Sequence, residues 1–523
     1  MQNEHCSRRV NTMSKQAALV LLGLFVGPGT VPAQSGRQAD GIAYTMGFST
    51  YLSHVDQYGA AFDIVTDGKG YIYLSGNTRD RNFPATEGAY QRELKGEADA
   101  FVAKFTPEGR IVFATLVGGT KREHHTGLAV DNDGYVYLVG GTHSADFPVT
   151  AGAYDTSFNG EKDWGGDVYL TKINPSGSGI VFSTFIGGSA QDTATGIAVA
   201  PNGNVVIAGS TLSPDFPTTS GAIRRRGEGQ DGFLATFSAQ GDRLLCATLI
   251  GGNREDGITG LAIDDRNHIY LSGFTASSDL PATDAAMRKK VELAEKGGFE
   301  NGIDLFVAKV NDKGTALLYL SYLGGGSYMS SDLSWTRPGR LMVSGSTNSK
   351  SFPFSDRAYA TASKGERDGF VSIFNSESME LEYSTLFGGS QFDFVRSAFF
   401  LDENRVVIGG ETNSPDLPLT ENALYSEYPV CDKTFNNTFF GKRKFFVSVI
   451  DIKEKRLVYS TFFGAGVRFQ AFPDAHGNLG FIAEAGVREV PGTDFPVSSD
   501  AFRVPPTYIM LGRLVLNDNR VRK

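Results

Sequence analysis

The sequence predicts an all-β ring built from one repeated unit of four short strands, and three observations predict it. Seven segments read aromatic or Cys, usually two small residues, an apolar pair and mostly Gly-Gly. They begin at Phe48, Phe113, Phe182, Cys246, Tyr319, Tyr383 and Tyr459. Seven others read Asp, Asn or Ser, then Phe or Leu, then Pro, with prolines at Pro84, Pro148, Pro217, Pro281, Pro353, Pro418 and Pro496. The spacing of about 65–75 residues exceeds the ~40–50 of common propeller repeats but leaves room for the same four strands. The 523-residue composition agrees: 63 Gly, Asn-Gly and Asp-Gly pairs, and abundant Val, Ile, Phe and Tyr. The expected fold is a seven-bladed β-propeller of four-stranded antiparallel blades.

The second repeat shows how each strand is read. Residues 126–131 form a short apolar strand, Asp133-Gly134 a turn, and 135–140 an alternating strand. Asp-Gly between two such runs signals a hairpin with a two-residue type I′ turn. A long polar stretch runs through Asp146-Phe147-Pro148. Then come a strand at 167–173, a turn at 174–177 and a strand at 180–186. These four strands are labelled A to D. In other repeats Gly203, Asn267, Gly339 and Gly477 fall in A–B turns, and Asp99, Asp167, Asp231, Asp304 and Asp368 open C strands.

The ends predict closure. A lone D-type strand at 44–52 can pair with a lone C-type strand at 508–514, completing the seventh blade and leaving no open edge. Residues 1–33 read as a signal peptide: Lys15, an apolar run at 17–26, then Val31-Pro32-Ala33. That run is too short to span a membrane, and no later one reaches about 18 residues. The expected organisation is therefore a signal peptide at 1–33, a linker at 34–43 and one propeller at 44–523. The protein is expected to be a secreted monomer, cleaved near Ala33. Cys246 and Cys431 lie in different repeats and are expected to be unpaired. The net charge of −9 argues against nucleic acid as a general partner.

Candidate chemistry centres on blade 2, which holds His124, His125 and His143 of the chain's seven histidines. With a two-residue turn at Asp133-Gly134, His124 faces His143 at the end that carries the long D–A and B–C loops. Directly opposed side chains lie on one face of the sheet. Other blades carry Arg79, Leu212, Ala276, Asn348, Asn413 and Val487 at the His143 position, so the framework does not require histidine there. Three readings stand. The pair is a polar surface feature, or it joins Glu123 in holding zinc, or it performs acid–base chemistry near neutral pH. Arg79 holds in blade 1 the position of His143, and Tyr58 precedes the A strand of that blade. An arginine, a phenol and two imidazoles around one mouth suit β-elimination from a uronic acid. The arginine neutralises the carboxylate and acidifies the C5 proton, one group removes that proton, and another protonates the leaving oxygen.

Basic triplets supply the expected substrate contacts. Arg224, Arg225 and Arg226, then Arg288 and Lys289 with Lys290, then Lys442 and Arg443 with Lys444, all fall in or beside B–C connections. In an acidic chain, basic loops on one face attract a polyanion, and His125 is grouped with them as a substrate contact. No cofactor is required by these motifs; a structural calcium or zinc ion is left open. There is no GxSxG, and neither cysteine has a histidine nearby in sequence.

The repeat resembles the bacterial β-propeller repeat proteins whose unit carries a YSTYLGG-type strand, a GIAVD…GNVYV hairpin and a DFPTT tag. That likeness covers the chain after residue 44 and implies the fold. Export, size and the blade-2 histidines also resemble the propeller-type ulvan lyases, which eliminate beside a uronic acid in a sulfated polysaccharide. The resemblance implies that His124 and His143 are the catalytic histidine pair and that the partner is an anionic polysaccharide. It also implies a Tyr and an Arg from following strands, but residues 193–212 of blade 3 contain neither. Arg79 and Tyr58 are expected to stand in for them, with the run Arg224 to Arg226 as another source of the arginine. A non-catalytic glycan- or protein-binding propeller is the alternative.

Overall fold

The computed structural model describes residues 42–54, 63–160, 166–291, 303–325, 332–337, 339–427, 444–465, 468–473, 479–486 and 507–518. Every element among them is a strand, and the strands form seven four-stranded antiparallel sheets, the blades of a β-propeller. In blades 1 to 6 the four strands follow one another in sequence order. The A strands of successive blades pack side by side around the centre. In the seventh sheet the strands Arg468–Pro473, Leu479–Gly486 and Thr507–Asp518 are joined by Ile42–His54. That N-terminal strand pairs with the last strand from Ile42↔Asp518 to His54↔Tyr508. Strand Arg468–Pro473 also touches blade 1, where the Thr66 hydroxyl donates to Pro473 O at 3.2 Å. The segment up to residue 41, expected to hold a signal peptide and linker, lies outside the described residues, as does Cys431; Cys246 is buried and free. No helix among the described residues is long and apolar enough to cross a membrane.

The C strands open at the aspartates read from the sequence: Asp99–Phe105, Asp167–Ile173, Asp231–Phe237, Asp304–Val310 and Asp368–Asn375. They lie inside the sheet with both faces covered, which is why Asp231–Phe237 is buried along its whole length. D strands such as Ile180–Ile186 begin exposed and end buried.

The Asp-Phe-Pro tag proves to be a clamp between blades. Asp146 Oδ1 accepts hydrogen bonds from both the N–H and the hydroxyl of Thr120, each at 2.9 Å, tying the B–C loop of blade 2 to the end of blade 1. Asp215 holds Ser189 and Asp416 holds Ser390 in the same way. The next residue of the tag enters the core: Phe147 stacks on Tyr169 at 4.5 Å, and Phe216 and Phe352 meet Phe233 and Phe370 at 4.8 and 4.7 Å.

The Gly-Gly pair that closes four of the D strands also has a packing cause. A β-carbon added at Gly187 would lie 2.5 Å from Asp167 Oδ1 and 2.8 Å from Asp192 Oδ2. Gly118 stands likewise between Asp99 and Glu123, Gly251 between Asp231 and Asp256, and Gly388 between Asp368 and Asp393. Two carboxyl groups from adjacent blades leave no volume for a side chain.

The A–B hairpin differs from the sequence expectation. Gly134 has φ 83 and its N–H donates to Asp131 O, while Asn132 and Asp133 keep negative φ. A type I′ turn needs two left-handed residues. This turn has one, so it is a type I turn followed by a left-handed glycine, one residue longer than expected. The extra residue accounts for the pairing Val130↔Val136. Asn267 adopts the same left-handed conformation in blade 4 (φ 64).

Phe147→Ala should destabilise the protein by about 3–5 kcal/mol, since it removes a stacked, buried ring. Phe147→Leu should cost well under half of that. Urea unfolding followed by tryptophan fluorescence measures both, and equal losses would mean that the tag supplies ring stacking and not apolar volume.

Candidate functional site

The blade-2 histidines sit on the strands Glu123–Val130 and just past the end of Val136–Thr142. The expected register had His124 directly opposite His143. The observed partners are Glu123↔Thr142, His124↔Gly141 and His125↔Gly140. Two local features separate expectation from structure: the longer turn, and a β-bulge at Thr126 between His125 and Gly127. Each shifts the register by one residue. Together they shift it by two, which restores the face, because side chains alternate with period 2. His143 therefore lies diagonally from His124, and the rings meet edge-on, with centroids 5.6 Å apart and planes at 67°. The bulge belongs to the framework: it recurs at Thr195, Thr259 and Arg396.

Both rings are half-buried, and their surroundings are cationic. Burial, reinforced by Arg122, His143 and Arg79, pulls His124 down to about 4. Burial with Arg122 and Lys121 also lowers His143. Both imidazoles are thus neutral at pH 7, with Arg79, Arg122 and Lys121 supplying positive charge around them. Arg79 lies within electrostatic reach of His124, although it belongs to blade 1.

Arg122 is the residue that sequence reasoning missed. A signal was present: at period 2, Arg122 and His124 share a face of the same strand, while Glu123 and His125 share the other. The backbone couples the parts, since His143 N–H donates to Arg122 O at 3.0 Å.

His125 is not available to a substrate. It is 1% exposed, its Nε2 lies 2.6 Å from Ser75 Oγ of blade 1, and burial lowers it to about 3. Alternation explains the difference from its neighbour: one histidine of the pair must point into the blade 1–2 interface. Glu123 is likewise turned away from His124. Its Oε1 accepts from the hydroxyls of Thr142 and Ser144 at 2.9 and 2.5 Å, and burial, with Asp99 adding to it, raises it to about 7. No group of three His, Cys, Asp or Glu side chains poised for a metal occurs among the described residues.

The basic triplets divide. Arg224 was expected to meet substrate, but it is an internal brace: Nη1 is 2.9 Å from Asp231 Oδ1 and donates to Gly252 O, and Nε donates to Arg226 O. Arg288 is committed to Ser351, and Lys289 contacts Asp284 at 3.2 Å. Arg225 and Arg226 are exposed. Tyr58, Lys442 and Arg443 lie outside the described residues. A second carboxylate pair lines the inner strands: Asp63 and Asp332 are each raised to about 6, by burial first, and Asp332 also by the charge of Asp63.

No family model matches the chain. A curated relative, regulatory protein FlaEY of Caulobacter vibrioides, is 24% identical over 340 residues, covering 63% of this chain. The chain spans about a third of that protein's length, the match covering 34% of it. Among solved structures, the WD40 domain of Pan2 from Neurospora crassa matches with TM-score 0.42 and 10% identity, over 91% of this chain and 97% of that one. The β-propeller domain of the Trilobed protease from Pyrococcus furiosus matches with TM-score 0.36 and 8% identity, over 82% and 87%. These structural likenesses say nothing of function.

Glu123 provides a test of the environment beneath the histidines. Its ordinary value near 4.5 is raised to about 7, so its ionisation opposes folding. The associated stability is complete below about pH 4.5 and lost as pH rises through 7, amounting to about 3 kcal/mol. Glu123→Gln should therefore lose less stability than the parent between pH 5 and pH 8 in urea titrations. An unchanged difference would mean that Glu123 does not titrate in that window.

Proposed function

We propose that the protein is a secreted lyase that cleaves a uronate-containing, ulvan-like sulfated polysaccharide by β-elimination at the mouth of blades 1 and 2. The observation that carries this reading is the contact of two neutral imidazoles beside Arg79 and Arg122. The arginines would bind the uronate carboxylate and stabilise the enolate that forms when the C5 proton leaves. A neutral ring accepts that proton. The resulting imidazolium, directly or after passing its proton to the ring in contact with it, protonates the glycosidic oxygen as the C4–O4 bond breaks. Both rings end neutral, and the product carries a C4–C5 double bond. A base held near 4 is weak in the free protein, but an anionic sugar placed beside His124 favours its protonated form and raises it towards the working range. Exposed Arg225 and Arg226 would extend the cationic rim for sulfate or carboxylate groups further along the chain.

A second reading, a propeller that holds a glycan or protein without chemistry, is favoured by the match to a protein described as regulatory. One assay separates the two. Incubation with ulvan and other uronate polysaccharides should raise ultraviolet absorbance as unsaturated ends appear. His124→Ala and His143→Ala should each lower the rate about 10²–10⁴-fold. Arg122→Ala should both raise KM and lower kcat, because the carboxylate and the enolate use the same charge. Absence of new unsaturation with every uronate polymer sinks the lyase. Full activity in both histidine variants removes the site but leaves the activity.

A further inference from the structure

Four blade junctions share one arrangement: the aspartate opening a C strand faces the acid opening the next A strand across the first glycine of the Gly-Gly pair. What completes it differs from blade to blade. In blade 1, Gln91 reaches in, its Nε2 donating to Asp99 Oδ2 at 2.5 Å and its Oε1 accepting from Gly118 N–H at 3.1 Å. In blade 3, Arg224 takes that place and sets its guanidinium against Asp231 Oδ1 and Gly252 O. The main chain establishes the equivalence, since Leu116 N–H donates to Gln91 O and Leu249 N–H to Arg224 O. The matching bonds, Phe185 N–H to Asp155 O and Leu386 N–H to Ala360 O, put Asp155 and Ala360 in that position in blades 2 and 5. Neither side chain can donate.

At those two junctions one oxygen of each carboxylate is satisfied. Asp167 Oδ2 accepts from Asn159 N–H, and Asp368 Oδ2 from Lys364 N–H. Asp192 Oδ2 accepts from Gly188 N–H and Ser213, and Asp393 Oδ2 from Gly389 N–H and Ser414. The Oδ1 atoms of all four lack a well-formed hydrogen bond, on residues at most 2% exposed, although Gly160, Thr211, Gly365 and Thr412 act on these carboxylates from nearby. At the Gln91 and Arg224 junctions only the A-strand acid keeps such an oxygen, Glu123 Oε2 and Asp256 Oδ1. Buried charges of one sign persist only when paired or coordinated. The exposed Lys364 acts weakly on Asp368, and Asp155 adds a further negative charge near Asp167.

We propose that the blade 2–3 and blade 5–6 junctions each bind a divalent metal cation of the calcium type, held between Asp167 and Asp192 and between Asp368 and Asp393. The cation takes the place that blade 3 gives to the Arg224 guanidinium. Two carboxylates balance a double positive charge, and the donor set, carboxylate oxygens with the carbonyls of Gly188 and Gly389 and water, is the all-oxygen set that calcium prefers. With only two protein carboxylates per site, affinity should be modest, of order 10⁻⁴–10⁻³ M, the range of extracellular calcium modules.

The test is equilibrium dialysis of the chelator-treated full chain against millimolar calcium chloride, with metal content read by mass spectrometry. The parent should hold two calcium ions per chain. Ala360→Arg, which copies the blade-3 solution into blade 5, should hold one and fold normally. Asp368→Asn should also hold one, and Arg224→Ala should gain a third. A parent chain that retains no calcium overturns the proposal, as does a bound pair that Ala360→Arg leaves in place. If protons fill the junctions instead, calcium will be absent, and Ala360→Arg will raise the melting temperature at pH 8 but not at pH 5.

Discussion

Pairs of buried carboxyl groups at the blade junctions are the constraint on which the rest of the ring depends. A propeller blade is joined to the next by packing of sheet faces, which has little angular specificity. Here the ends of four D strands must also pass between two acids, one from the strand's own C strand and one from the following A strand. Only glycine passes, as Gly118, Gly187, Gly251 and Gly388 show. The cost is electrostatic: burial raises Asp167, Asp231 and Asp393 to about 6 and Glu123 to about 7. Ser, Thr and main-chain donors offset part of it. Asp-Phe-Pro tags add a second tie at the same place, binding the residue after the Gly-Gly pair to the next B–C loop. Phe-Ser-Thr strand, double glycine and proline tag are thus three parts of one joint.

That joint positions the candidate site. Glu123 is the acid of the blade 1–2 junction, and it directly precedes His124 in the strand. Anchoring Glu123 to Thr142 and Ser144 fixes the start of the A strand to the end of the B strand. It thereby sets His124 against His143, one residue beyond the anchor on each side. The bulge at Thr126 is needed as well, because without it the odd residue of the turn would place the two rings on opposite faces.

Much of this was legible from residue order because the repeat provides its own alignment. Strand positions, the C-strand aspartates and the pairing of the first strand with the last follow from periodicity. The His124–His143 contact was reached from a register wrong by two residues. A shift of two preserves the face, so parity survived where distance did not. The fates of His125 and Arg224 were not legible. A histidine next to a site residue looks like a second ligand in one dimension, and alternation along a strand sends it into the core. Arg224 reads as part of a basic triplet, yet the carboxylate that holds it, Asp231, comes from the following strand. Charge counts along a loop do not reveal which charges are already neutralised inside it.

Differences among the blades therefore carry more information than their likeness. At one framework position this chain places Gln91, Asp155, Arg224 and Ala360, facing carboxylates that hardly change. An amide, an anion, a cation and a methyl group cannot satisfy the same pair of acids equally. Neither Asp155 nor Ala360 supplies a cation in that position, so the balance of charge at the second and fifth blades falls to the surrounding donors and to the proposed ion or protons. The same reasoning applies at the loop-bearing end, where Arg79 and His143 replace Leu212 and Ala276 of the next two blades. There the departure brings positive charge and titratable nitrogen to a half-buried rim instead of a sealed joint. A buried departure answers to the neighbouring acids and so to stability, whereas Arg79 and His143 at the rim remain partly exposed.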